Sequence, residues 1–106
     1  MPVYFVVYQN VYDEAKFAKY VDAVMPPIEQ AGGSLIAASK ATVLEGTLPF
    51  ARAKIFKFPT AEILRDLWHS NDYAEIKKLR DNGTAEFQAV MIAGLEAEDN
   101  NQTGRN

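Results

Sequence analysis

With 106 residues and a mass of 11.8 kDa, the chain is long enough for one compact domain and too short for two. Hydrophobic residues at 48% and charged residues at 24% describe an ordinary globular protein, and eleven basic against fourteen acidic side chains leave no excess of positive charge for binding nucleic acid. Zero cysteines exclude disulfides, a thiolate nucleophile and a cysteine-based metal site, and one histidine, His69, excludes a two-histidine site within one chain, so no metal and no cofactor are expected.

Met1-Pro2-Val3-Tyr4 lacks the charged region, apolar run and cleavage site of a signal peptide. No stretch approaches the ~18 apolar residues of a membrane span, and a cytoplasmic protein with no membrane partner is expected. Val3 to Val11 is β-branched and aromatic almost throughout and predicts a strand. One face carries Val3, Phe5, Val7 and Gln9, and the other carries Tyr4, Val6, Tyr8 and Asn10. Asp13 caps a helix whose apolar stripe is Phe17, Tyr20, Val21, Val24 and Ile28. The helix is expected to run to about Val24, with a kink or break at Pro26-Pro27, then a short turn to Ala31 before Gly32-Gly33 ends the segment.

Ser34 to Glu45 reads as a second strand and Arg52 to Phe58 as a third, joined as an antiparallel hairpin. Thr60 caps a helix with Ile63, Leu64, Leu67 and Trp68 on its buried side, and Ser70 caps a further segment to about Arg80. Glu86 to Leu95 is the fourth strand. Residues 96–106 offer almost nothing to bury and read as a flexible acidic and polar tail, leaving a single domain over 1–95.

The order β-α-β-β-α-β is that of an α+β, ferredoxin-like subunit, with an antiparallel four-stranded sheet and helices on one face. A solvated second face ought to turn polar at every other residue. The first strand does not, since Tyr4, Val6 and Tyr8 oppose Phe5 and Val7; in the fourth, Val90 and Ile92 oppose Phe87 and Met91. Leaving such side chains in water forgoes on the order of 1.5–3 kcal/mol each. A second copy of the chain, packed sheet against sheet, is the economical cover and predicts a homodimer.

His69 is the one side chain that ordinarily titrates near neutrality and is a candidate general acid or base, although a histidine at a helix end also serves simply as a favourable charge. Tyr4, Tyr8, Tyr20 and Tyr73 each combine an apolar ring with a hydroxyl, and together they suit a polar aromatic ligand. Tyr73 is a second candidate proton carrier. Asn10 shares a face with Tyr4 and Tyr8, Trp68 precedes His69, and Arg80 lies two helical turns after Tyr73; these complete the expected ligand contacts. Arg52, Lys54 and Lys57 read either as pocket cations or as charges protecting an edge strand. Leu48-Pro49-Phe50 reads as a clasp on a partner or the flank of a pocket mouth.

Met1-Pro2-Val3-Tyr4, Tyr20, Pro26-Pro27, Gly32-Gly33, Glu45-Gly46, Phe58-Pro59, Ser70-Asn71-Asp72-Tyr73 and Arg80 together resemble the domain-of-unknown-function family 1330, of the dimeric α+β barrel superfamily. Ala38-Ser39-Lys40 departs from the Arg-Gly-Gly common there, and Lys57 replaces an acidic residue before Phe-Pro. The resemblance implies a ferredoxin-like subunit and a sheet-to-sheet homodimer, and no settled activity; the leading reading is a homodimeric small-molecule protein with a pocket in each subunit between helices and sheet. If it is an enzyme, analogy with the superfamily points to cofactor-independent proton transfer or oxygenation of an aromatic or polyketide-like compound, with His69 or a tyrosine as proton carrier. A non-catalytic ligand-binding or stress-related dimer is the alternative, and haem binding through His69 is a third. The sequence does not decide between enzyme and binding module.

Overall fold

Strand β1 (Val3–Val11) lies between β3 (Arg52–Phe58) and β4 (Ala85–Ala93), antiparallel to both, and β2 (Ser34–Lys40) extends the sheet beyond β3. The computed structural model describes residues 1–95, so the expected tail at 96–106 lies outside the described residues. The strand order is β2-β3-β1-β4. Helix α1 (Glu14–Gln30) links β1 to β2; α2 (Ala61–Trp68), α3 (Asn71–Lys77) and a 3-10 turn (Lys78–Arg80) link β3 to β4. The ferredoxin-like α+β architecture is therefore the observed one, with its second helical connection divided at His69-Ser70. Among the described residues no helix is long and apolar enough to cross a membrane.

The register assigns the two faces. Phe5 stands between Phe56 and Met91, Val7 between Lys54 and Ala89, and Gln9 between Arg52 and Phe87. This is the face the helices cover: Val3, Phe5, Val7, Phe56 and Phe58 pack there with Phe17, Tyr20, Val24 and Ile28 of α1, Leu64 of α2 and Tyr73 of α3. On the opposite face Tyr4 pairs with Ile92, Val6 with Ile55 and Val90, and Tyr8 with Ala53 and Gln88. That face stays apolar and uncovered in the single chain, with Val90 and Ile92 exposed by 40% and 54%.

Side-chain caps start the helices where the sequence placed them. Asp13 accepts from the Lys16 amide at 3.1 Å, Thr60 from Ile63 at 3.2 Å and Ser70 from Tyr73 at 3.0 Å. The helix does not end near Val24 as expected, because α1 runs unbroken through Pro26 and Pro27 to Gln30. Proline deprives only the carbonyls four residues back, here Asp22 and Ala23, and its fixed φ is already helical. Pro26 points to solvent, while Tyr20, Val24 and Ile28 are buried at four-residue spacing across the site and hold the helix in register. Strand β2 is shorter than expected, ending at Lys40; beyond it the Ala41 amide reaches the Ala51 carbonyl at 2.8 Å, and residues 42–50 form a loop.

Helix α1 stops in a Schellman arrangement. The Gly33 amide donates to Ile28 O at 2.9 Å and the Gly32 amide to Glu29 O at 3.0 Å, with Gly32 at φ +85°. Gly33 is required for space rather than dihedral freedom, since a Cβ there meets the Phe58 ring at 2.7 Å and Ile28 Cγ2 at 2.9 Å. Gly33→Ala is expected to lose about 1–3 kcal/mol by forcing Phe58 and Ile28 apart. Urea denaturation measures this, and an unchanged midpoint contradicts it.

Candidate functional site

The space between α1, the end of α2 and the sheet is aromatic. Trp68 closes α2 and stacks on Tyr73 with ring centroids 3.9 Å apart, while its edge meets Phe5 at 4.5 Å. Ser70 fixes this arrangement, because its hydroxyl donates to the Leu67 carbonyl at 2.7 Å and accepts the Tyr73 amide, turning the chain sharply between the helices. The Tyr73 hydroxyl lies 2.8 Å from the Tyr20 hydroxyl and accepts from Arg80 Nη2 at 3.3 Å. Arg80 is almost buried, its guanidinium 4.0 Å from the centre of the Phe87 ring and 5.6 Å from that of Tyr20. Burial, reinforced by Tyr73, pushes the Tyr20 hydroxyl far above its ordinary value, so it stays protonated and serves only in hydrogen bonding.

Beside this cluster a cavity of about 20 Å³ is walled by Phe5, Tyr20, Val24, Phe56, Trp68 and Phe87, and Gln9 and Lys54 bring polar atoms to it. Gln9 is 1% exposed, and neither its amide nitrogen nor its amide oxygen has a protein partner. That is an unusual state for a buried amide. Lys54 stands over the Phe17 ring at 5.4 Å. Burial, and then repulsion by Arg52, lowers its pKa below the ordinary lysine value. The unfolded chain therefore binds the proton more readily, and the resulting loss of stability, full at neutral pH, disappears as pH rises through the folded value towards the ordinary one. Lys54→Met is expected to be more stable than the parent chain at neutral pH, with the gap closing as the solution is made alkaline. Thermal unfolding at several pH values measures both trends.

His69 lies elsewhere. It is exposed at the rim of a cleft of about 210 Å³ between α2 and β4, lined also by Leu64, Arg65, Ala89 and Met91. Phe5 and Trp68 border both this cleft and the aromatic cavity, so Trp68 is the partition between them.

The structure thus gathers Tyr20, Trp68, Tyr73 and Arg80 on the helix side and sets His69 at an adjoining opening. It does not bring Tyr4, Tyr8 and Asn10 to that place; they occupy the uncovered face of the sheet because β1 alternates. Asn10 instead ties down the loop after β2. Its Nδ2 donates to Pro49 O at 2.8 Å and Glu86 Oε1 at 3.3 Å, and its Oδ1 accepts the Ala51 amide at 2.8 Å. Phe50 then packs near Tyr8 at 6.1 Å between ring centres. Among the strand-three cations, Arg52 and Lys54 face the helix side, and Lys57 faces away. An edge-protecting role does not apply to them, because β3 is an inner strand. Gln9 was the residue missed: its place in the period-two row of Val3, Phe5 and Val7 was the available signal.

The fold is shared with solved structures. The RPA0582 protein of unknown function from Rhodopseudomonas palustris superposes with a TM-score of 0.72 at 16% identity, over 90% of this chain and 83% of that one. SnoaB, a cofactor-independent oxygenase from Streptomyces nogalater, gives 0.64 at 9% identity, over 91% and 95%. A dimeric protein of unknown function with a ferredoxin-like fold from Bacteroides fragilis gives 0.56 at 12% identity, over 85% and 93%. None of the curated proteins matches the chain. The model of one family, described as a domain of unknown function (DUF1330), matches residues 2–95, nearly the whole described fold, and the chain belongs to that family.

Proposed function

We propose that this chain is one subunit of a homodimer, joined through the uncovered sheet faces, that binds a small aromatic molecule between helices and sheet. The observation that carries the binding reading is the cleft of about 210 Å³ between α2 and β4, where Trp68 and His69 meet Phe5, Leu64 and Met91; the aromatic cavity behind Trp68, at about 20 Å³, has room for one water beside Gln9 and not for a ring. Phe5 and Trp68 supply apolar contact to that cleft, and Tyr73, held by Arg80, stacks behind Trp68. Tyr4, Tyr8 and Asn10 fall to the dimer interface in this reading, where the dimeric description of the Bacteroides fragilis neighbour supports them. As an enzyme, the protein moves a proton or assists oxygenation on an aromatic or polyketide-like compound without a cofactor, with His69 and Tyr73 as the proton carriers. The SnoaB description supports that chemistry by analogy of fold alone.

A second reading, a binding module without turnover, is favoured by one specific observation: Tyr73 is engaged by Arg80 and Tyr20, so its hydroxyl is committed to protein partners rather than to a ligand. Native mass spectrometry of the protein exposed to a metabolite extract tests both. A bound compound consumed by the parent chain, but not by His69→Ala or Tyr73→Phe variants that still bind it, supports the enzyme. Capture without consumption supports the module. Failure to retain any aromatic compound overturns the proposal.

A further inference from the structure

On the helix side of the sheet, where β2 is exposed along its whole length, lies a hollow of about 260 Å³ lined by Gln9, Ser39, Lys40, Arg52 and Lys54. We propose that this hollow binds a compact, non-aromatic dianion, the phosphate group of a small metabolite or a short dicarboxylate, held between Lys40 and Lys54. It shares no lining residue with the cleft at Trp68 and His69, and the inference goes beyond the function proposed for that cleft.

The sheet register brings the cations together. Lys40 pairs with Arg52 and Ala38 with Lys54, so Lys40 and Lys54 stand diagonally across β2 and β3 on one face. Diagonal neighbours are about 7–8 Å apart at the backbone, and two lysine side chains reach one small anion across that gap. No carboxylate lines the hollow. Glu14, at the start of α1, is held by Arg52 at 2.5 Å, and among the described residues no carboxylate lies within ion-pair distance of Lys40 or Lys54. Arg52 and Glu14 offset each other, which leaves two uncompensated ammonium groups, the charge that a dianion matches. Burial, and then repulsion by Arg52, disfavours the charged form of Lys54, and an oxyanion alongside counters both. A hollow of the same volume between Lys16, Lys19 and Lys78 lacks this imbalance, because Asp81 lines it and Lys78 is paired with Glu75 at 3.0 Å.

The walls select the shape. Ala38 and Ala53 complete the lining, so no ring stands in the hollow to stack on an aromatic ligand. Gln9 adds a hydrogen-bond donor. It is 1% exposed, and neither atom of its side-chain amide has a protein partner. One water in the small cavity that Gln9 also borders serves the amide oxygen, which leaves the amide nitrogen to donate to an oxyanion oxygen. Lysine ammonium groups act as point charges and do not demand the planar fork that arginine offers a carboxylate. Phosphate and carboxylate oxygens therefore share the chemistry of this place. They differ in span, because a phosphate group presents both charges at one centre and a short dicarboxylate gives one to each lysine.

The test is calorimetric titration with inorganic phosphate, succinate and acetate at fixed pH and ionic strength. It is run on the parent chain and on Lys40→Met, Lys54→Met and Lys19→Met. Phosphate or succinate is expected to bind about tenfold or more tightly than acetate, and Lys40→Met and Lys54→Met are each expected to weaken the better dianion by about tenfold or more. Lys19→Met removes the same charge from the other hollow and is expected to bind as the parent chain does. The tighter dianion names the source: phosphate points to a phosphorylated metabolite and succinate to a dicarboxylate. The same dianion is expected to raise the Tm of the parent chain and not that of Lys54→Met, although that variant starts from the higher Tm at neutral pH. If neither dianion binds, or acetate binds as tightly as both, the proposal is overturned. It is overturned as well if the Lys40 and Lys54 variants keep full affinity. Equal loss in Lys19→Met also overturns it, because binding then follows net charge and not this hollow. Each of these outcomes leaves aromatic binding at the Trp68 cleft untouched, so the two readings fail separately.

Discussion

Phe58→Ala is expected to remove about 3–5 kcal/mol of stability, the largest effect of any single truncation in the core. Phe58 is 1% exposed. Its ring meets Phe5 edge-on at 6.3 Å and fills the space beside Gly33 that no side chain enters. Removing it opens a cavity between β1, β3 and the end of α1, three elements that cannot close up because the sheet ladder and the helix stop fix their spacing. The whole stability of a small domain is about 5–15 kcal/mol, so the variant stands close to its unfolding midpoint. At about 4–8 °C for each kcal/mol, the fall in Tm is unmistakable by calorimetry. A loss below about 1 kcal/mol contradicts this account of the core. If the protein is dimeric, Tm also depends on concentration, and parent and variant must be compared at the same one.

Much of this architecture was legible because its signals are local. The alternation in β1, the capping side chains of Asp13, Thr60 and Ser70, and the Gly32-Gly33 stop are each decided within a few residues, and tertiary contacts reinforce them. Pro26-Pro27 misled because a local penalty was weighed without the buried stripe spanning it; Tyr20, Val24 and Ile28 together outweigh about 3 kcal/mol per proline. The site was half legible for a related reason. The seven-residue spacing of Tyr73 and Arg80 anticipates their contact, and Tyr20 lies on the apolar stripe that must face inward. Nothing in β1 tells which of its two apolar faces receives the helices, since Tyr4-Val6-Tyr8 is as apolar as Phe5-Val7. Assigning Tyr4, Tyr8 and Asn10 to the same pocket as Tyr20 required that missing choice, and the register resolves it against them. Gln9 escaped for the opposite reason: one polar residue in a core row reads as the end of a strand until the surrounding contacts show it buried.

Val90→Lys is expected to convert a dimer of twice the 11.8 kDa chain mass into a monomer, as read by light scattering or sedimentation. Val90 sits opposite Val6 near the middle of the uncovered face, flanked on its strand by Gln88 and Ile92. In the single chain it is 40% exposed, so a lysine there reaches water and the fold tolerates it. In a sheet-to-sheet dimer the same position is covered, and two-fold symmetry brings a second lysine to the equivalent place on the partner. Each ammonium then lacks a counter-ion, and burying an unpaired charge costs several kcal/mol, enough to dissociate a dimer of micromolar or weaker affinity. An unchanged circular dichroism spectrum separates loss of assembly from loss of folding. Asp22→Lys, exposed on α1 across the sheet from that face, is the control that leaves the assembly intact. A parent chain that sediments at single-chain mass overturns the dimer directly. A Val90→Lys variant that remains dimeric moves the interface to another surface, and Tyr4, Val6 and Ile92 then have to be explained as a face that stays wet.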